Sequence, residues 1–234
     1  KPFMALSGLV EGEITPSDTI YDPGYYQLPN DSRRYRNWLR WGHGKVDMER
    51  AITVSNNTYF YSLAHELGID AISEHMHQFG FGEHVTQDVY GESTGLMPSR
   101  EWKRERFNQP WYPGETLSVG IGQGYLQVTP LQLATATAVL ANRGHWVKPR
   151  LAKSIGDEEV PVDLPGTKDD ITIAKAEWWD DIYAGMENVL SGREGTARRA
   201  GEGLEYRMGG KSGTAQVFSL GQDEKYNADE LAER

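Results

Sequence analysis

The sequence predicts an α/β domain of the α+β kind, on three observations. Several segments place apolar residues at helical spacing. One glycine-flanked run near the C-terminal end is rich in β-branched and aromatic residues. The length suits a single core. With 234 residues, 38% of them hydrophobic, and seven Trp, the chain supports one domain carrying an irregular insertion.

The elements follow in order. Residues 3 to 10, Phe-Met-Ala-Leu-Ser-Gly-Leu-Val, read as the remainder of a buried helix whose beginning is expected upstream. From Glu11 to about residue 50 the pattern becomes aromatic, punctuated by Pro16, Asp22-Pro23-Gly24, Pro29-Asn30-Asp31 and Gly42-His43-Gly44. This is a structured excursion, too rich in Trp and Tyr for disorder. A helix is predicted to begin between Ser55 and Thr58, with Tyr59, Phe60, Leu63, Ala64 and Leu67 on one face and Gly68 as its stop. A second starts at Asp70, buries Ile72, Met76 and Phe79, and ends at Gly80. Thr129-Pro130-Leu131-Gln132 supplies a cap, a proline in the first turn and a reciprocal Gln for a helix running to Gly144. The acidic stretch from Asp157 to Asp170 reads as a surface hairpin or loop. Trp178, Ile182 and Met186 mark a further helix that ends at Gly192. Residues 209 to 218, Gly-Gly-Lys-Ser-Gly-Thr-Ala-Gln-Val-Phe, read as a strand closely approached by another group.

Composition excludes several functions. A formal net charge of −10 is the wrong sign for a phosphate-binding surface, so no nucleic-acid partner is expected. Arg33, Arg34, Arg36 and Arg40, interleaved with Tyr35 and Trp38, read as a solvated loop or a partner contact rather than a base-stacking patch. Without cysteine there is neither a disulfide nor a thiolate metal site. No apolar run approaches the roughly 20 residues that span a bilayer.

Two short motifs carry the chemistry. Lys211-Ser212-Gly213-Thr214 is unspecific by itself, since such strings are common at strand starts. Ser55-Asn56-Asn57 is also open alone, because Ser55 could simply cap the helix that follows. Together they fit a pattern of serine acyl-transferases acting on penicillin, Ser-x-x-Lys, Ser-x-Asn and Lys-Ser/Thr-Gly in that chain order. The first motif would end at Lys1, with its serine expected three residues upstream. Longer stretches carry the same resemblance: residues 22 to 29, Asp-Pro-Gly-Tyr-Tyr-Gln-Leu-Pro; Arg34 to Trp38; Trp41 to Gly44; Gly120-Ile121-Gly122-Gln123-Gly124-Tyr125; and residues 211 to 218. On these residues the chain resembles the elongation-type penicillin-binding proteins of Gram-negative rods, over nearly its whole length.

That resemblance implies a penicillin-binding/serine β-lactamase-like fold, an antiparallel sheet covered by helices, incomplete at both ends here. It implies that residues 1 to 234 are part of a transpeptidase domain, with the aromatic excursion at about 11 to 50. Lys1 would take the proton of the upstream serine, its pKa lowered by burial and by the charge of Lys211. Ser55 would relay the proton to the departing D-alanine, and Asn57 would hold the substrate peptide. Lys211 and Thr214 would hold the terminal carboxylate of D-Ala-D-Ala or of a β-lactam, with Ser212, Gly213 and Gln216 completing the substrate-binding edge. The backbone N–H of Thr214 would be one oxyanion donor. In a flat strand Lys211 and Thr214 point to opposite faces, so a local twist is required. No cofactor is implied. Partners would be the peptidoglycan stem peptide, a RodA-type glycan polymerase and the elongation machinery. The location would be periplasmic, with an inner-membrane anchor upstream, and a chain lacking the serine should not itself acylate.

Some relatives carry zinc at positions matching Asp22, Asn37, His43 and Asn56. Asn replaces a carboxylate and a thiolate at two of them, so no metal is expected. His65-Glu66 lacks the second His of a metalloprotease motif, and His75 and His77 sit two apart on a presumed helix. Two other functions remain open on the motifs: a hydrolase, either carboxypeptidase or β-lactamase, and a non-catalytic binding module that keeps the fold.

Overall fold

The computed structural model describes residues 1–86, 88–159 and 168–215. Helix α1 (Pro2–Glu11) is buried from Pro2 to Leu9, as its apolar sequence requires, and stops at Gly12, whose left-handed backbone closes the last turn. Phe3 packs against Phe79 and Phe81 at ring distances of 4.9 and 5.3 Å, which ties the start of the chain to residues nearly eighty positions on.

The aromatic excursion folds into two antiparallel pairs. Strand β1 (Ile20–Asp22) pairs with β4 (Gly44–Val46), bringing Asp22 opposite Gly44. Between them β2 (Tyr25–Gln27) pairs with β3 (Arg34–Arg36). Where the two pairs meet, the backbones of residues 22–24 and 40–42 run so close that a Cβ at Gly24 or Gly42 would collide with the Arg40 or Asp22 carbonyl. Both glycines also have positive φ, 97° and 74°, so the local sequence permits what the pairing demands. The arginines lie along the outer face, with Arg33 over Tyr35, Arg34 over Tyr25 and Arg40 over Trp41.

Helix α2 (Met48–Thr53) is capped by Asp47, which accepts from Arg50 N. A tight turn then leads into α3 (Asn57–Gln78), capped by Asn56. The two helices expected on either side of Gly68 are present as one element broken there, since Gly68 stands at φ 71°, ψ 165°. Short helices α4 (Arg100–Phe107) and α5 (Pro113–Gly120) follow, then α6 (Pro130–Ala141) with the reciprocal Thr129 and Gln132 cap expected from the sequence. Gln132 also donates through Nε2 to the carbonyls of Glu83 and Thr94, so the cap doubles as a loop tie. A hairpin of β5 (Ser154–Ile155) and β6 (Glu158–Glu159) precedes α7 (Glu177–Ser191), which ends at Gly192, and a last turn, α8 (Arg198–Gly201).

One apolar cluster joins α1, α2, α3 and α7 through Leu6, Ile52, Phe60, Ile72 and Ile182, all nearly or wholly buried. Helix α1 lies against α3 and α7, α2 against α7, and α5 against α3. Helices and antiparallel pairs are thus mixed as expected. Among the described residues the pairing consists of three two-stranded ribbons and an isolated antiparallel bridge between Leu96 and Gln127. The strand expected from residue 209 is not formed through residue 215, since no backbone pairs with it among the described residues; Gly210 N donates to Met186 O of α7 at 3.0 Å. Residues 216 to 218, Gln216 included, lie outside the described residues.

Candidate active site

The motifs at residues 1 and 55–57 meet at one amine. Lys1 Nζ lies 2.8 Å from the Ser55 carbonyl, 3.1 Å from Ser55 Oγ and 2.6 Å from Asn57 Oδ1. No carboxylate is among these partners. Carbonyl oxygens only accept, so two N–H bonds of the amine are committed to Ser55 O and Asn57 Oδ1. In the neutral amine the lone pair is then left to face a hydroxyl. Burial, and after it the charge of Lys211, brings the Lys1 ammonium down to about 7, and the Phe60 ring lies 5.6 Å away on its apolar side. Such an amine is equipped to take a proton from a hydroxyl near neutral pH.

Ser55 is positioned by strain. It is one of the few residues other than glycine with positive φ, at 53°, and that conformation turns both its carbonyl and its hydroxyl towards Lys1. It does not cap the helix. The cap is Asn56, whose Oδ1 accepts from Tyr59 N at 2.7 Å, which frees Ser55 for the amine.

Residues 211–214 form the third part. Lys211 is lowered to about 8 by burial and folds back to donate to Ser212 O at 2.8 Å. Ser212 Oγ in turn lies 2.7 Å from Thr196 Oγ1, and Gly213 and Thr214 are exposed. Lys1 feels the charge of Lys211, whereas no hydrogen bond joins residues 211–214 to Ser55 or Asn57 among the described contacts. An open groove of about 900 Å³ between the β2–β3 hairpin and α5 is lined by Arg33, Tyr35, His65, Tyr112, Glu115 and Tyr125, and Lys1, residues 55–57 and residues 211–214 are not among its lining residues.

Beside the Ser55 turn, Asp22, Asn37, His43 and Asn56 converge, as their correspondence to a metal site requires. Asp22 Oδ2 accepts from Asn37 Nδ2 at 2.6 Å, Asn56 Nδ2 at 2.7 Å and His43 N at 2.9 Å, with His43 Nδ1 at 3.1 Å. Asp22 Oδ1 accepts from Thr58 Oγ1 at 2.6 Å and Gly24 N at 2.8 Å. Burial alone would raise this carboxyl; the hydrogen bonds from Thr58, Gly24 and His43 outweigh it and bring it to about 2. The amide orientations are fixed from behind. Trp38 N and Asn57 N donate to Asn37 Oδ1, and Tyr59 N donates to Asn56 Oδ1. Both amides therefore turn N–H groups, not oxygens, to the centre. This donor set encloses an anion and does not fit zinc.

Sequence reasoning missed three contributors: Asn37, which it weighed only as a poor metal ligand; Trp38, whose Nε1 donates to Val54 O at 2.9 Å; and Thr196. Asn37 and Trp38 fall within the Arg34–Trp38 stretch that carried the family resemblance; no local pattern marks Thr196.

An amine held by a Ser-x-Asn turn and within reach of the charge of a Lys-Ser-Gly-Thr run, on helices of one core, is the arrangement expected of a penicillin-binding protein transpeptidase domain. The chain belongs to that class: residues 1–232 match the family model of the penicillin-binding protein transpeptidase domain. Among curated relatives, the peptidoglycan D,D-transpeptidase MrdA of Haemophilus influenzae is 47% identical over 228 residues, covering 97% of this chain and 35% of the relative. Among solved structures, PBP2 of Pseudomonas aeruginosa in complex with WCK 5153 is 55% identical with a TM-score of 0.89, covering 92% of this chain and 49% of that one. The complex between PBP2 and MreC of Helicobacter pylori is 32% identical with a TM-score of 0.81, over 92% and 38% of the two chains. The chain thus spans about a third of the length of the curated relative.

Proposed function

We propose that this chain is part of a peptidoglycan D,D-transpeptidase, in which Lys1 is the general base, Ser55 the proton relay, Asn57 a substrate-binding amide, and Lys211 with Ser212, Gly213, Thr214 and Gln216 the edge that receives the terminal carboxylate. The observation that carries this reading is the Lys1 amine held between Ser55 and Asn57 with its pKa near neutrality.

In the first half-reaction the hydroxyl of the serine three residues upstream of Lys1 attacks the carbonyl of the penultimate D-alanine of a stem peptide. Its proton passes to Lys1. A C–O bond forms, the carbonyl becomes an oxyanion facing backbone N–H donors that include that of Thr214, and the C–N bond then breaks. The proton travels from Lys1 through Ser55 to the departing nitrogen, so D-alanine leaves as a neutral amine and an ester remains on the serine. An amine of a neighbouring strand then attacks the ester and restores the serine. A β-lactam would enter the same first step, but its leaving nitrogen stays tethered. No cofactor is needed. The wider setting is a periplasmic domain anchored in the inner membrane from upstream and coupled to a RodA-type glycan polymerase; a solved peptidoglycan synthase complex that coordinates polymerization and crosslinking, 34% identical to this chain with a TM-score of 0.79, supports an assembly of this kind.

The test is acylation of the full-length protein by a fluorescent penicillin. A covalent adduct that persists for minutes is expected, located by mass spectrometry on the serine preceding Lys1. Release within seconds would assign the chain to the hydrolases instead. A residue other than Ser at that position would make it a binding module.

A further inference from the structure

The strained conformation of Ser55 needs a restraint, since a residue with a side chain leaves positive φ readily when nothing holds it. The restraint is visible on both sides. Trp38 Nε1 grips Val54 O just before Ser55. After it, Asn56 Nδ2 and Thr58 Oγ1 reach the two oxygens of Asp22, and Asn57 N reaches Asn37 Oδ1. Every residue from 54 to 58 except Ser55 itself is thus bound to the aromatic excursion, from Asp22, Asn37 or Trp38. Asp22 and Asn56 are fully buried, so these bonds form where water does not compete.

We propose that Asp22, with Asn37 as its bridge, is a metal-independent positioning clamp that holds Ser55 and Asn57 against Lys1. Neither residue touches the reacting atoms. The clamp acts by fixing the Ser55 turn, and it rests on the transpeptidase reading given above. The excursion is by this account part of the acylation machinery and not only an outer surface. Because the amides present N–H groups to the carboxylate, the clamp closes without a cation.

The experiment follows acylation of the full-length protein by a fluorescent penicillin, resolving the non-covalent constant K from the acylation rate constant k2. Asp22→Asn puts an amide N–H where both oxygens must accept. Asn37→Ala removes the acceptor of Asn57 N while leaving Asp22 in place. Both are expected to lower k2 by roughly 10- to 100-fold, the scale of small misplacements of reacting groups, while K moves less. Val139→Ala, in α6 and away from the site, is the control for lost stability and should keep k2. Chelator treatment should leave wild-type k2 unchanged.

Wild-type k2 in folded Asn37→Ala and Asp22→Asn would overturn the clamp, and so would a wild-type k2 that falls on chelation and returns with zinc. Should Asp22→Asn fail to fold, Asn37→Ala alone decides. Failure of the wild type to acylate at all would count against the transpeptidase reading and is thereby separate from failure of the clamp.

Discussion

Lys1 and Lys211 must be in opposite protonation states for the proposed chemistry. The base acts only when neutral, and the carboxylate-binding lysine only when charged. Burial lowers both, Lys1 further because it also feels Lys211, leaving one near 7 and the other near 8. The rate constant k2/K for a penicillin should therefore rise as pH passes about 7, where Lys1 loses its proton, and fall beyond about 8, where Lys211 loses its own. A profile flat across that interval would contradict the assignment. Lys1→Arg, which keeps a charge that cannot be given up, should lower k2 by about 10²–10⁴-fold. The same shift bears on stability. Below about 7 Lys1 carries a proton in both the folded and the unfolded chain, so the cost of burying its charge is complete; it is relieved as pH rises from there towards 10.5. That Lys1 and the Ser55–Asn57 turn belong to one candidate site was legible because motif spacing and order are covalent facts, and the structure brings the two together. The positive φ of Ser55 was not, since a Ser before Asn-Asn looks like an ordinary helix cap until the structure shows Asn56 capping instead.

At the scale of elements, legibility followed the visibility of an apolar face. Helices α1, α3, α6 and α7 bury periodic apolar residues, and the stops of α1 at Gly12 and α7 at Gly192, like the break in α3 at Gly68, obey the usual punctuation. Helix α4 has no such face, because Arg-Glu-Trp-Lys-Arg-Glu-Arg-Phe is charged on nearly every side. Its Lys103 is nevertheless 1% exposed, paired with Glu115 and resting against the Tyr112 ring at 4.3 Å. A cation buried by aromatic neighbours leaves no trace in hydrophobic periodicity. Helix α5 was hidden by its start, Pro113-Gly114, which reads as a turn. The break at Gly68 can be tested directly. Its φ of 71° with ψ 165° is a region that only glycine visits readily, yet a Cβ there would meet nothing within 4 Å. Gly68→Ala should thus cost only the backbone term, roughly 1–3 kcal/mol in denaturant unfolding. A loss near zero would mean that α3 straightens without penalty.

The whole molecule threads three distant stretches that carry the proposed site, at positions 1, 55–57 and 211–214, around one core, with Lys1 in contact with Ser55 and Asn57 and feeling the charge of Lys211. Helix α1 delivers Lys1, the α2–α3 turn delivers Ser55 and Asn57, and α7 supports the last stretch through Met186 O while packing on both α1 and α2. Helix α7 is therefore the keystone between the two lysines, and Ile182, wholly buried in the shared cluster, lies at its centre. Ile182→Ala removes packing without touching any polar group of the site. The substitution should lower stability by about 2–5 kcal/mol, read from the denaturant midpoint of the full-length protein. Acylation at temperatures where the variant stays folded should retain its rise through about 7, since the partners of Lys1 are Ser55 and Asn57 and not α7. A displaced rising limb in a fully folded Ile182→Ala variant would show instead that core packing sets the environment of Lys1. The polar turn and its clamp would then be insufficient to define it.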